Sequence, residues 1–196
     1  MSALELALRR VIRLLSDAGV PFALVGGLAV SVRVEPRFTR DADLAVAVAG
    51  DAEAEALTVG LVAAGCRLIG TVEQVATGRL ATARLLVGSG PEAPVVDLLY
   101  ASCGIEAEVV ADADPLEVFD GMRIPVAATA HLIAMKLLSR DDERRPQDLG
   151  DLRGLIGQAS TADIARARGA IDLITGRGYH RGRDLAAELQ RLVPGA

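Results

Sequence analysis

The chain has 196 residues, a formal net charge of −5, and 51% hydrophobic residues. That length supports one domain, or a domain with a smaller appendage, and the apolar fraction is ample for a core and argues against disorder. Aromatic residues make up only 3%, with no tryptophan, which argues against a platform for stacking single-stranded bases.

Apolar residues at Leu4, Leu8, Val11, Ile12 and Leu15 form one stripe and predict an amphipathic helix. Charges run throughout this N-terminal segment, so it does not read as a signal peptide. The segment Phe22–Val25 predicts a short buried strand ended by Gly26-Gly27, and LAVSVRV a short helix before Pro36. VPFALVGGLAVSV, the longest weakly charged stretch, is too short and glycine-rich to span a bilayer. DADLAVAV predicts a second strand, and the next segment a helix capped by Asp51 and stopped at Gly65. Strands follow near 67–70, 83–87 and 94–100, then a short helix in GIEAEVVADA. Asp120-Gly121 between apolar runs predicts a hairpin. From Thr129 onward the pattern is helical. This change divides the chain into a mixed core, 1–126, and a helical C-terminal segment, 127–196. Cys66 and Cys103 have neither metal-ligand spacing nor a disulfide framework, which fits a reduced intracellular compartment; with no stretch able to span a bilayer, the expectation is a cytoplasmic protein with no membrane partner.

Charge is unevenly spread. Residues 1–40 hold six basic against three acidic side chains, residues 41–121 three against fourteen, and residues 122–196 twelve against nine. An acidic middle suits metal cations and basic flanks suit phosphates, although solvated surfaces of differing composition give the same pattern. Within the acidic middle, Asp41 and Asp43 open a strand otherwise apolar. Residues two apart on a strand share a face, so the two carboxylates project side by side and repel. Magnesium ions shared between them would cancel that repulsion. Asp97, on the apolar strand PVVDLLY, is costly to bury without a partner, and a metal site would supply one. Gly26-Gly27, lying between a strand and a helix, allows close approach of backbone to phosphate, although most such pairs are turns.

Gly-Gly, then Arg-x-Thr-x-Asp-x-Asp on a strand, then a strand Asp, resembles the polymerase-beta-type nucleotidyltransferase superfamily. HLIAMKLLSRDDERRPQDLGDL narrows the resemblance to the AbiEii and MenT toxins of bacterial toxin–antitoxin pairs. The resemblance covers residues 22 to about 155. It implies an α/β (α+β) fold with a small mixed sheet flanked by helices. It also implies transfer of a nucleoside monophosphate from an NTP to the 3′ end of tRNA, with two Mg²⁺ ions and a cognate antitoxin. Asp41, Asp43 and Asp97 would be metal ligands, and Asp97 would help deprotonate the acceptor. Gly26, Gly27 and Lys136 would hold the triphosphate. A hydroxyl residue at the position of Thr39 is a control point for phosphorylation in the MenT-like group.

Lys136 stands out on composition alone, as the only lysine among 21 basic residues. A compact ammonium suits a site that needs a point charge, and snorkelling of a long stem is the alternative. Asp148 and Asp151 lie three apart on a predicted helix face, and either matches the family's acid paired with that lysine, with Asp148 slightly favoured. Arg37 and Arg40 would contact triphosphate or simply face solvent. Ala42 is smaller than the apolar residue usual between the two aspartates, and the chain is shorter than many AbiEii relatives, which bears on the acceptor more than on the chemistry. The rival readings are a small-molecule nucleotidyltransferase, such as one acting on aminoglycosides, and an inactive NTP-binding module.

Overall fold

A computed structural model describes residues 1–35, 39–90 and 92–193. The chain begins with helix α1 (Ala3–Asp17), capped by the Ser2 hydroxyl, which accepts from the Glu5 amide at 3.1 Å. It continues through β1 (Phe22–Val25), α2 (Gly26–Arg33), β2 (Asp41–Val46) and α3 (Asp51–Ala63). Three strands follow, β3 (Arg67–Glu73), β4 (Leu80–Leu86) and β5 (Val95–Leu99), then α4 (Glu106–Ala111) and the hairpin β6 (Asp114–Phe119) and β7 (Met122–Val126). The rest is helical: α5 (Thr129–Ser139), α6 (Gln147–Gln158), α7 (Thr161–Gly176) and α8 (Leu185–Leu192). Among the described residues, no helix is long and apolar enough to cross a membrane.

The seven strands form one mixed sheet in the order β3-β4-β5-β2-β1-β7-β6. β2 is central, antiparallel to β1 and parallel to β5. Its alternation explains why the sheet can hold charge on one side. Ala42, Leu44 and Val46 are fully buried, and Leu44 lies beside Leu24 on β1 and Leu98 on β5. These side chains belong to the core face, so Asp41 and Asp43 must project from the other. α2 packs over β1 and β2, and α5 packs against α2, α6 and α7. One continuous hydrophobic cluster runs from α1 through the sheet to α5, α7 and α8.

Several boundaries differ from the sequence reading for identifiable reasons. Gly26 and Gly27 do not merely end β1; they are the first two residues of α2. Gly50, not Asp51, caps α3. The Asp51 carboxylate is drawn away instead, accepting from Arg79 Nε at 3.1 Å and the Leu80 amide at 3.3 Å, where it ties α3 to the start of β4. β3 is longer than expected because it pairs with β4 as an edge strand, and all its residues are exposed. The predicted Asp120-Gly121 turn is present, with Gly121 at φ +63°.

Candidate active site

The cross-strand register places four residues in one row. Val25 on β1 pairs with Asp43 on β2, Asp43 with Asp97 on β5, and Asp97 with Arg84 on β4. Directly paired residues share a face. Asp41 lies two residues from Asp43 and joins them there. The Thr39 hydroxyl donates to Asp41 Oδ1 at 3.0 Å, so this residue reaches the same cluster from just before the strand. Arg37 lies outside the described residues.

Crowding at Asp43 has a measurable consequence. Burial, then the charges of Asp41 and Asp97, raise its pKa to about 7, against the opposing pull of Lys136 and Arg84. A carboxylate so poised fits a site built to receive a cation.

The turn from β1 into α2 crosses directly above this carboxylate. Gly26 takes φ +66°, and a Cβ built there would fall 1.9 Å from Asp43 Oδ2. Only glycine satisfies both constraints. Gly26→Ala is therefore expected to displace Asp43 and to lower the nucleotide transfer that the sequence resemblance implies about a hundredfold or more, the scale of a 1 Å misplacement at a reacting centre. The check is transfer kinetics alongside a circular dichroism spectrum of the folded variant. Wild-type kinetics in Gly26→Ala would refute the close approach.

Lys136 approaches from the helical segment. On α5 its Nζ lies 2.8 Å from Asp148 Oδ1 and 2.8 Å from Asp151 Oδ2, both on α6. The lysine side chain is 11% exposed and the two carboxylates 3% and 5%, so this is a buried triad and not a snorkelling surface lysine. Asp148 Oδ2 accepts no hydrogen bond from the described residues, and Arg145 Nε stands 3.4 Å from it.

Gly26, Gly27, Asp41, Asp43, Asp97, Lys136 and Asp148 all line a single cleft of about 370 Å³. That volume is sufficient for a nucleotide-sized ligand. Asp151 is not among the cleft residues; it opens onto a neighbouring depression beside Val34 and Gly154. The two candidate acids thus both hold the lysine, and Asp148 alone faces the cleft.

Arg84 is the residue that the sequence reading missed. Asp97 is not left without a protein partner, as its apolar strand suggested. Arg84 Nε donates to Asp97 Oδ1 at 2.9 Å and an Arg84 terminal nitrogen donates to Oδ2 at 2.6 Å, a bidentate pair. The signal was a lone arginine inside the apolar run ARLLV, one strand away from a lone aspartate. Among the described residues, no three His, Cys, Asp or Glu side chains are arranged to hold a metal ion. The hard oxygens of Asp41, Asp43 and Asp97 nonetheless suit a divalent cation by chemistry, and the mutual repulsion at Asp43 favours one.

Residues 7–194 match the family described as "Nucleotidyl transferase AbiEii toxin, Type IV TA system". The chain belongs to the AbiEii nucleotidyltransferase family. Membership places it among toxins of toxin–antitoxin systems, and such a system implies a cognate antitoxin. No curated protein matches the AbiEii chain. Its fold is that of the polymerase-beta-type nucleotidyltransferases. The antibiotic-resistance factor ANT(2'')-Ia superposes with a TM-score of 0.50 at 17% identity, covering 95% of this chain and 86% of that one. The lincosamide antibiotic adenylyltransferase LnuA, in its lincomycin-bound crystal structure, gives 0.51 at 14% identity, covering 79% and 98%.

Proposed function

We propose that this AbiEii protein transfers a nucleoside monophosphate from an NTP to the 3′-terminal hydroxyl of tRNA, releasing pyrophosphate and so blocking translation. The observation that carries the reading is the meeting, in one cleft, of Asp41, Asp43 and Asp97 with the buried Lys136 across the boundary near residue 126. We take the sheet before that boundary as the catalytic core and the helices after it as the part completing the phosphate site.

Asp41, Asp43 and Asp97 would hold two Mg²⁺ ions, which supply charge neutralisation of the triphosphate and acidify the acceptor hydroxyl. The remaining work falls to the chain. The Gly26-Gly27 turn lets phosphate oxygens approach backbone amides at the start of α2. Lys136 uses two of its three N–H directions on Asp148 and Asp151 and aims its charge into the cleft. The acceptor oxygen attacks the α-phosphorus, the bond to the β-phosphate oxygen breaks, and the hydroxyl proton passes toward Asp97. Positioning and charge account for the rate.

Incubation with each labelled NTP and either total tRNA or aminoglycosides tests this directly. Label entering the 3′ end of tRNA is the expected result. Label entering only the antibiotic would favour the small-molecule reading, and no label in either would favour an inactive module.

The same site offers a means of control. A phosphate on Thr39 would add about −1.5 to −2 charges, and the Thr39 hydroxyl already lies 3.0 Å from Asp41. It would compete with NTP phosphates for the cleft cations. Co-expression with the antitoxin is expected to phosphorylate Thr39 and stop transfer, while Thr39→Ala escapes the partner. Mass spectrometry locates the group. A phosphate found elsewhere, or full activity with Thr39 stoichiometrically modified, would end the idea.

A further inference from the structure

The bidentate pair between Arg84 and Asp97 occupies both oxygens of the carboxylate that the proposed reaction assigns to metal and acceptor. Arg84 is not fixed there by burial. Its side chain is 53% exposed, whereas that of Asp97 is 6% exposed. The guanidinium therefore has open space to move into, and the carboxylate does not. Arg84 also lines the same cleft as Gly27 and Lys136, where a triphosphate would lie. Guanidinium binds phosphate oxygens in the same forked geometry that it uses on carboxylates.

We propose that Arg84 is the resident cation of Asp97 in the nucleotide-free protein, holding that carboxylate out of metal coordination until nucleotide phosphates draw the guanidinium away. Full metal coordination then follows nucleotide entry, and the empty enzyme holds divalent cations only through Asp41 and Asp43. Arg84 acts here as a positioning residue, exchanging one anionic partner for another on the same face of the sheet. The inference rests on the assignment of Asp97 as a metal ligand, but not on the identity of the acceptor.

The test is titration of the full-length, nucleotide-free protein with Mn²⁺, followed by the loss of the free-ion electron paramagnetic resonance signal. Arg84→Ala is expected to bind Mn²⁺ about tenfold more tightly than wild type, or better, the scale on which residues behind a metal ligand alter affinity. Removing any cation beside carboxylates raises metal affinity through space, so Asp97→Asn is made in both backgrounds. In wild type it should change Mn²⁺ affinity less than twofold. In Arg84→Ala it should remove most of the gain, leaving only the through-space part. Arg84→Gln, which keeps the length of the side chain without its charge, should reproduce the gain and serves if the alanine variant does not fold.

Equal Mn²⁺ affinity in wild type and both Arg84 variants would overturn the proposal. So would a gain that persists undiminished with Asn at position 97, or an equal loss from Asp97→Asn in both backgrounds. Failure of the proposed reaction is read separately, as absence of label transfer by wild type with NTP and acceptor. The titration contains neither.

Discussion

Asp43→Asn is expected to abolish nucleotide transfer and, at neutral pH without metal, to stabilise the fold. If Asp43 holds the proposed Mg²⁺, its loss should lower the rate about a thousandfold or more. The stability gain follows from the raised pKa of Asp43, about 7, caused by burial and by the charges of Asp41 and Asp97. A carboxylate whose folded pKa lies above its unfolded value costs stability when it ionises in the fold. The cost is absent below the unfolded value of 3.8, grows as pH rises toward 7, and is complete above it. Asparagine removes it. Urea unfolding in EDTA should therefore show the variant more stable than wild type at pH 8, on the order of 1–3 kcal/mol, with the difference vanishing near pH 4. Equal stability at both pH values would refute the crowding at Asp43. More than a tenth of wild-type transfer would refute its role in catalysis.

Asp41 and Asp43 show why part of the candidate site was legible in the sequence. A two-residue spacing on an apolar strand places both carboxylates on one face whatever the strand pairs with, so Asp41 and Asp43 declared themselves locally. Lys136 did so by composition, and the three-residue spacing of Asp148 and Asp151 put both on one helix face. Arg84 could not be found this way. Its meeting with Asp97 depends on the register between β4 and β5, a property of two strands brought together by the fold. The choice between Asp148 and Asp151 also needed three dimensions, because spacing alone cannot say which acid faces the cleft and which grips the lysine from behind. Asp51 was misread as a cap for a similar reason. Its local preference lost to Arg79 and the Leu80 amide, which reach it from the adjoining strand. The glycines were read as a turn that could approach phosphate, and the turn's clearance over Asp43 emerged only from the β1–β2 pairing.

Lys136 holds two buried carboxylates and, in the proposed reaction, a triphosphate as well, and the two roles can be separated. In Lys136→Met, Asp148 and Asp151 lose the cation between them while remaining buried. Removing one partner of a buried ionic cluster costs about 3–5 kcal/mol. That variant should unfold at markedly lower urea and show no activity, which by itself assigns nothing. Lys136→Met combined with Asp148→Asn and Asp151→Asn removes the stranded charges and should recover most of the lost stability. If the ammonium's charge is needed at the triphosphate, the triple variant stays about a hundredfold or more below wild type in kcat/KM, the scale of losing one preorganised charge-stabilising donor. Lys136→Arg keeps the charge but asks a planar fork to fit between two carboxylates that now sit 2.8 Å from a single nitrogen. It should retain more stability than the methionine variant yet transfer poorly, with the deficit in kcat/KM. Recovery of more than a tenth of wild-type kcat/KM in the stable triple variant would show that Lys136 serves only to neutralise Asp148 and Asp151, and that the triphosphate is held by other groups.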